Sequence, residues 1–377
     1  MQSLVERLCR WLPALPQRLA AAGAMAAGLA LLLSAEAAAQ QRTWSRIALK
    51  NVESWGYQLQ NVVPRVVAKD GFDVLVIDYS GNGTEAGALS REEVASMRPR
   101  PGQPERIILA YLSIGEAEDY RYYWQQGWTE KQVDVASVER PTGFLGAPDG
   151  RTLGVPDKRK PPARLLPEAP PWLAGENPEW RGNYLVRYWD AAWQNLIFGS
   201  PGAYLERIIA AGFAGVYRDK VDANDDWQPT RRTARREMVQ FVEAIAVYAR
   251  ALQPGFLIVP QNAEELLVFP DYVRTIDAIA KEDLVFDKGQ RRDGGRNTES
   301  EILQSKRLLD RARAAGRPVM VVEYLDSPAQ IEAARRRIQR YRYIPFFAKR
   351  ALDAPPQSVK PTPASAETPV RAPLPWP

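Results

Sequence analysis

Carboxyl groups stand at the ends of successive apolar runs in this chain. Asp78 follows Val74-Leu-Val-Ile77. Glu116 and Glu118 lie just beyond the run Ile107–Ser113, across a glycine turn. Asp219 closes Gly215-Val-Tyr-Arg-Asp219, and Asp222 follows. Gln261 and Asn262 come after Phe256–Pro260, Glu282 and Asp283 after Ala278, and Glu323 and Asp326 after Val319. Burying a carboxylate without a partner is costly. Its repetition at run after run predicts that these groups meet in one polar mouth. Two carboxyl groups flanking one bond can hydrolyse a glycoside. One stays protonated and donates to the leaving oxygen; the other attacks the anomeric carbon or activates water. Asp219 and Glu282 are the predicted pair, because both end buried strands that would lie near each other in a barrel.

Aromatic rings offer sugars a flat apolar face. Tyr111, Tyr217, Trp180, Tyr184 and Trp189 are the candidates for stacking. Together with the strand-end groups and Arg121 of the segment Tyr111–Arg121, the predicted substrate-binding set is Asp78, Tyr111, Glu116, Arg121, Tyr184, Tyr217, Asp222, Asn262 and Glu323. Each has a structural alternative: a turn cap, a core ring or an ion pair.

Composition removes many other chemistries. The 377 residues contain no histidine and one cysteine, Cys9. Ser-His-Asp and Cys-His machinery is therefore impossible, and so are zinc sites built on His or Cys. Acid–base work falls to carboxylates. Net charge is +5 with dispersed basic residues, which does not point to nucleic acid. Gly81-Asn-Gly83-Thr-Glu-Ala86 has the letters of a dinucleotide fingerprint, but the next helix starts later, at Ser90. Asp222-x-Asn224-x-Asp226 begins like a calcium loop, but Trp227 and Thr233 occupy positions that need Gly and Glu. No cofactor and no resident metal are expected. A polysaccharide is the expected partner, and the sequence names no protein partner.

Eight strand-like segments position these groups: Ser54–Gln60, Asp73–Tyr79, Ile107–Ser113, Tyr184–Tyr188, Gly215–Asp219, Phe256–Gln261, Ala278–Glu282 and Val319–Tyr324. Helical patterns separate many of them. Met238, Phe241, Val242, Ile245, Ala249 and Leu252 make one apolar helix face. Ser90 with Glu93 forms a capping box. A helix over Glu299–Ala315 should end at Gly316 and Pro318. The alternation predicts an α/β fold, a single-domain TIM (β/α)8 barrel over 40–350, with a doubly wound open sheet as the alternative. A long loop, Gly127–Gly182, should follow the third strand and form part of the cleft wall. The Pro-rich tail 351–377 should be extended or disordered.

The start of the chain reads as an export signal over 1–39. Arg7, Arg10 and Arg18 accompany the apolar run Leu19–Leu33, which is short for a spanning helix, and Ala37-Ala-Ala39 suits cleavage. The mature chain would then begin near Gln40 in the periplasm or outside the cell, without cysteine and without lasting membrane insertion. An uncleaved anchor is the alternative.

The strings DVLVIDYSGNGTE, ILAYLSIGEAEDYRYYW, NPEWRGNYLVRYWDAAWQ and GFAGVYRDKVDA, in that order, resemble glycoside hydrolase family 114 in its bacterial and archaeal extracellular branch. The resemblance covers about Trp55 to Pro345. It implies a TIM barrel and endo-hydrolysis of α-1,4-linked polygalactosamine with retention of configuration. It casts Asp219 and Glu282 as the two catalytic carboxylates; Asp219 is read as nucleophile and Glu282 as general acid/base, and the reverse assignment stays open. Retention would place the two carboxyl groups about 5–5.5 Å apart. Arg218 stands where that branch usually carries an apolar residue, and SIGEAEDYR differs from the characterised hydrolases. Two other functions stay open on sequence alone: a barrel that holds polysaccharide without cleaving it, and a metal-assisted hydrolase of another bond.

Overall fold

The computed structural model describes residues 49–130, 162–287 and 295–354. The predicted signal 1–39 lies outside them, as do most of the tail and the stretch 131–161 of the long loop. Eight parallel strands form the framework: β1 (Trp55–Gln58), β2 (Val74–Ile77), β3 (Ile107–Ser113), β7 (Gly215–Asp219), β8 (Leu257–Pro260), β9 (Ile279–Glu282), β10 (Val319–Tyr324) and β11 (Ile344–Ala348). The ladder runs β1-β2-β3-β7-β8 and, separately, β9-β10-β11. A parallel bridge from Gln261 to Ala280 joins β8 to β9. At the last seam β11 packs against β1, where Trp55 Nε1 donates to the Ile344 carbonyl at 3.0 Å. The fold is the predicted (β/α)8 barrel.

Strand alternation divides the core in two. Val74, Val76, Leu109, Leu257, Val259, Ala280, Met320 and Val322 fill the barrel interior. Leu75, Ile77, Ile108, Ala110, Ile258 and Val321 face outward and pack with the helices. Both strand faces are therefore apolar, which is why these strands read as continuous hydrophobic runs. The helices form as their sequences predict. Ser90 and Glu93 make the capping box of Arg91–Ser96, and Thr298 with Glu301 makes another at Glu299–Ala314. Gly316 takes a φ of 71°, the left-handed conformation that ends this second helix. Helix Ala234–Leu252 buries Met238, Phe241, Val242, Ile245 and Ala249, but Leu252 at its last turn is exposed.

Two strand assignments differ from expectation. The predicted fourth strand, Tyr184–Tyr188, is not in the barrel. It contains β6 (Asn183–Val186), the centre of a small antiparallel sheet with β4 (Glu116–Glu118) and β5 (Leu173–Glu176). Its burial alternates along the strand, the pattern of an antiparallel strand with one wet face. The eighth barrel strand is instead β11, whose Ile-Pro-Phe-Phe-Ala sequence is short and proline-interrupted. Asp219 thus ends the fourth barrel strand and Glu282 the sixth, with β8 between them. The long loop carries β5, and its Trp128 and Trp172 are buried against each other rather than lining the cleft. After β11 the chain stays pinned to the mouth. The Leu352 carbonyl accepts from the backbone N–H groups of Leu59 and Gln60.

Trp55 holds the β1–β11 seam by its indole hydrogen bond, and its ring lies 5.4 Å from Phe346 and 6.1 Å from Tyr217. It has no exposed surface. Trp55→Ala should therefore lower stability by about 3–5 kcal/mol in denaturant unfolding. A loss below about 1 kcal/mol would show that the seam does not depend on this ring.

Candidate active site

The C-terminal ends of the barrel strands surround a cavity of about 340 Å³. Asp219 and Glu282 both line it. Asp219 is placed by β7, whose Gly215 allows close approach to β8: a Cβ there would sit 2.4 Å from the Leu257 carbonyl oxygen. The Asp219 carboxyl accepts from the Tyr111 hydroxyl at 2.8 Å and from the Lys220 backbone N–H at 2.7 Å. Glu282 is held equally firmly. The Asn262 side-chain amide donates to it at 3.0 Å, the Tyr324 hydroxyl donates to its other oxygen, and its own N–H donates back to Asn262 at 3.0 Å. The chain turns sharply just after these strands. Lys220, Asn262 and Asp283 take φ values of 56°, 56° and 52°, a left-handed region that non-glycine residues rarely visit. Such strain concentrates at functional sites.

Electrostatics separate Asp219 from an ordinary surface acid. Burial, then the charges of Glu282 and Asp222, raise the Asp219 pKa to about 8, although Tyr111 and Lys220 oppose the shift. The Glu282 charge thus disfavours ionisation of Asp219. Burial likewise raises Tyr57, Tyr111, Tyr217 and Tyr324, so these phenols stay protonated as donors or packing rings. Asp283, beside Glu282, is raised to about 6 by burial, against the pull of its ion-pair partner Arg350.

The model of glycoside-hydrolase family GH114 matches residues 154–362. An uncharacterized protein of Methanocaldococcus jannaschii is 34% identical over 315 residues, covering 79% of this chain and 77% of that one. Another, from Thermotoga maritima, is 33% identical over 280 residues, covering 73% and 71%. The chain belongs to glycoside-hydrolase family GH114. It is a glycoside hydrolase. Among solved structures, the glycoside hydrolase domain of PelA from Pseudomonas aeruginosa has a TM-score of 0.50 at 19% identity, covering 81% of this chain and 97% of that one. Aspergillus fumigatus Ega3, in complex with galactosamine, has a TM-score of 0.51 at 16% identity, covering 80% and 92%. These two likenesses are of fold.

Around Asp219 and Glu282, Asp78, Tyr111, Glu116, Asp222 and Asn262 also line the cavity, and so does Trp180. Four predicted binding residues lie elsewhere. Arg121 is buried behind the wall, where it bridges Asp78 at 2.7 Å and Glu118 at 2.7 Å and so fixes two cleft carboxylates. Tyr184 is buried beside Trp124, with ring centroids 4.8 Å apart. Tyr217 points into the barrel one layer below Asp219, 5.0 Å from the Tyr57 ring. Glu323 faces the helix layer, where it accepts from the Val285 and Phe286 N–H groups at 2.7 and 3.0 Å. It pins the loop after β9. Trp189 packs on Trp227. Arg218 also faces outward and donates to the Val242 carbonyl at 3.2 Å.

Sequence reasoning missed Tyr57, Tyr120, Asn177, Lys220, Tyr324 and Arg350, all of which line the cavity. Adjacency was the available signal for two of them: Lys220 follows Asp219, and Tyr324 ends a barrel strand. Arg350 follows the unpredicted β11. It stacks 4.3 Å over the Tyr324 ring whose hydroxyl reaches Glu282.

Asp219 holds a proton in the folded protein that an ordinary aspartate, with pKa 3.8, has already lost. The folded form binds more protons between these two values, so stability declines as pH rises through this window. Asp219→Asn removes that dependence. In thermal unfolding, wild type should lose ground to Asp219→Asn between about pH 4 and pH 8, the limits set by the unfolded and folded values, and run parallel beyond. Parallel curves throughout would show that Asp219 is not raised.

Proposed function

We propose that this GH114 hydrolase is exported and cuts within an exopolysaccharide of the α-1,4-linked polygalactosamine type, with retention of configuration. The observation that carries the reading is the placement of Asp219 and Glu282 in one cleft, on strands separated only by β8, each fixed by hydrogen bonds from the protein. Family membership supports the glycosidic bond as target. The galactosamine bound to Ega3, a protein of similar fold, supports an amino sugar. The cleft is lined by the carboxylates Asp78, Glu116, Glu118, Glu179 and Asp222 besides the pair, against the cations Lys220, Arg181 and Arg350. That excess of negative charge suits a polymer with cationic units. Export rests on the N-terminal signal pattern; no helix among the described residues is long and apolar enough to cross a membrane.

In this reading Asp219 attacks the anomeric carbon and Glu282 protonates the leaving oxygen. Without substrate, Asp219 holds a proton near neutral pH. Attack requires the Asp219 anion, which the positive charge developing at the anomeric carbon favours, and the assigned roles require the proton that leaves Asp219 to reach the leaving oxygen through Glu282. Tyr324 and Asn262 hold the Glu282 carboxyl in place for the transfer. Glu282 then acts as base toward the water that releases the sugar from Asp219.

A reducing-end assay on partly deacetylated α-1,4-polygalactosamine tests this directly. Wild-type chain should release ends, and Asp219→Asn and Glu282→Gln should each lower kcat by about 10²–10⁴-fold while remaining folded. Binding without release by the wild type would favour a non-catalytic barrel. Because the pair needs one proton, activity should fall above about pH 8, where Asp219 is ionised. An optimum above about pH 9 would contradict the assigned roles.

A further inference from the structure

The cleft beside Asp219 contains an ammonium of the protein's own. Lys220 Nζ lies 3.2 Å from Glu116 Oε1, 3.7 Å from Asp226 Oδ2 and 3.9 Å from Asp222 Oδ1. Its side chain keeps 22% of its surface open, and it lines the cavity. Burial disfavours the charge, yet Asp222, Glu116, Asp226 and Asp219 together raise the pKa, so the group stays cationic. Gly115 makes the arrangement possible: a Cβ there would sit 2.1 Å from the Lys220 carbonyl oxygen. The loop after β3 therefore lies directly on the turn after β7, which brings Glu116 under the lysine.

Glu116 has little left to offer a substrate. Besides Lys220, the Asn177 side-chain amide donates to it at 2.8 Å and that of Asn183 at 3.4 Å, and it is 2% exposed. Without the lysine, Glu116, Asp222 and Asp226 would form an acidic pocket suited to a cation. With it, the place is taken, and an N–H donor faces the cleft.

We propose that Lys220 determines substrate specificity by closing the subsite beside Asp219 to a substrate ammonium and opening it to a neutral acceptor such as the carbonyl of an acetamido group. A second ammonium there would meet a like charge in a partly water-excluded cleft, which is discrimination by repulsion. An acetamido oxygen would instead accept from Lys220. The inference rests on the amino-sugar polymer reading and deepens it. The cleft as a whole attracts a cationic chain, while this one position selects an N-acetylated unit.

The test uses two matched α-1,4-linked galactosamine oligomers, one fully deacetylated and one partly N-acetylated, with wild type, Lys220→Met and Lys220→Arg, each shown to be folded by circular dichroism. Wild type should cleave the acetylated oligomer faster. Lys220→Met should shift the ratio of rates toward the deacetylated oligomer by about tenfold or more, and Lys220→Arg, which keeps the charge, should retain the wild-type preference. Equal ratios in wild type and Lys220→Met, or a wild-type preference for the fully deacetylated oligomer, would overturn the role of Lys220. Cleavage of neither oligomer by the wild type would overturn the polymer reading itself and the inference with it.

Discussion

Two carboxyl groups that face one small, partly desolvated cleft cannot both ionise freely. That constraint organises the mouth of this barrel. Asp219 and Glu282 each receive two hydrogen bonds from the protein, so neither has to turn to solvent to be satisfied. Tyr111 and Tyr324 supply one donor each from strands on opposite sides of the pair. Below them the rings of Tyr57, Tyr217 and Trp55 pack within about 5–6 Å of one another and fill the barrel beneath the site. The apolar plug has two effects. It stabilises the barrel, and it keeps Asp219 in surroundings where a proton is held near neutral pH.

Charged side chains surround the pair. Arg121 joins Asp78, at the end of β2, to Glu118 on β4, and thereby ties the small antiparallel sheet to the barrel rim. Arg350, carried by the segment after β11, joins Asp283 and stacks on Tyr324. Lys220 gathers Glu116, Asp222 and Asp226. Each cation lies beside carboxylates of the mouth, so an acidic cleft is built with its mutual repulsion partly offset. The excursion after β3 and the strap after β11 thus belong to the site as much as the barrel strands do.

Much of this was legible in the sequence, and the failures follow a physical pattern. Asp219 and Glu282 were visible because a charged residue after an apolar run has few places to go except the barrel mouth. The capping boxes were visible because their spacing is local. Glu323 and Tyr217 were misjudged because strand parity is hidden when both faces are apolar: in Val-Met-Val-Val-Glu-Tyr, nothing local shows that Met320 and Val322 point in and Glu323 points out. Tyr184–Tyr188 was taken for a barrel strand because five residues carry too little pattern to tell a parallel core strand from an antiparallel wall. β11 was overlooked because Pro345 demotes a strand. It is accommodated next to the seam, where β11 meets β1 by packing rather than by a ladder. Arg121 reads as a binding residue until its buried guanidinium is seen to be engaged by Asp78 and Glu118.

The central claim is that Asp219 attacks the anomeric carbon while Glu282 serves the leaving oxygen of the same bond, with no water required in the first step. The most direct measurement is proton NMR of the first anomer released from an α-linked oligomer before mutarotation. The account predicts the α-anomer first, the outcome of two successive displacements through Asp219. The β-anomer appearing first would mean a single displacement by water, and would contradict it.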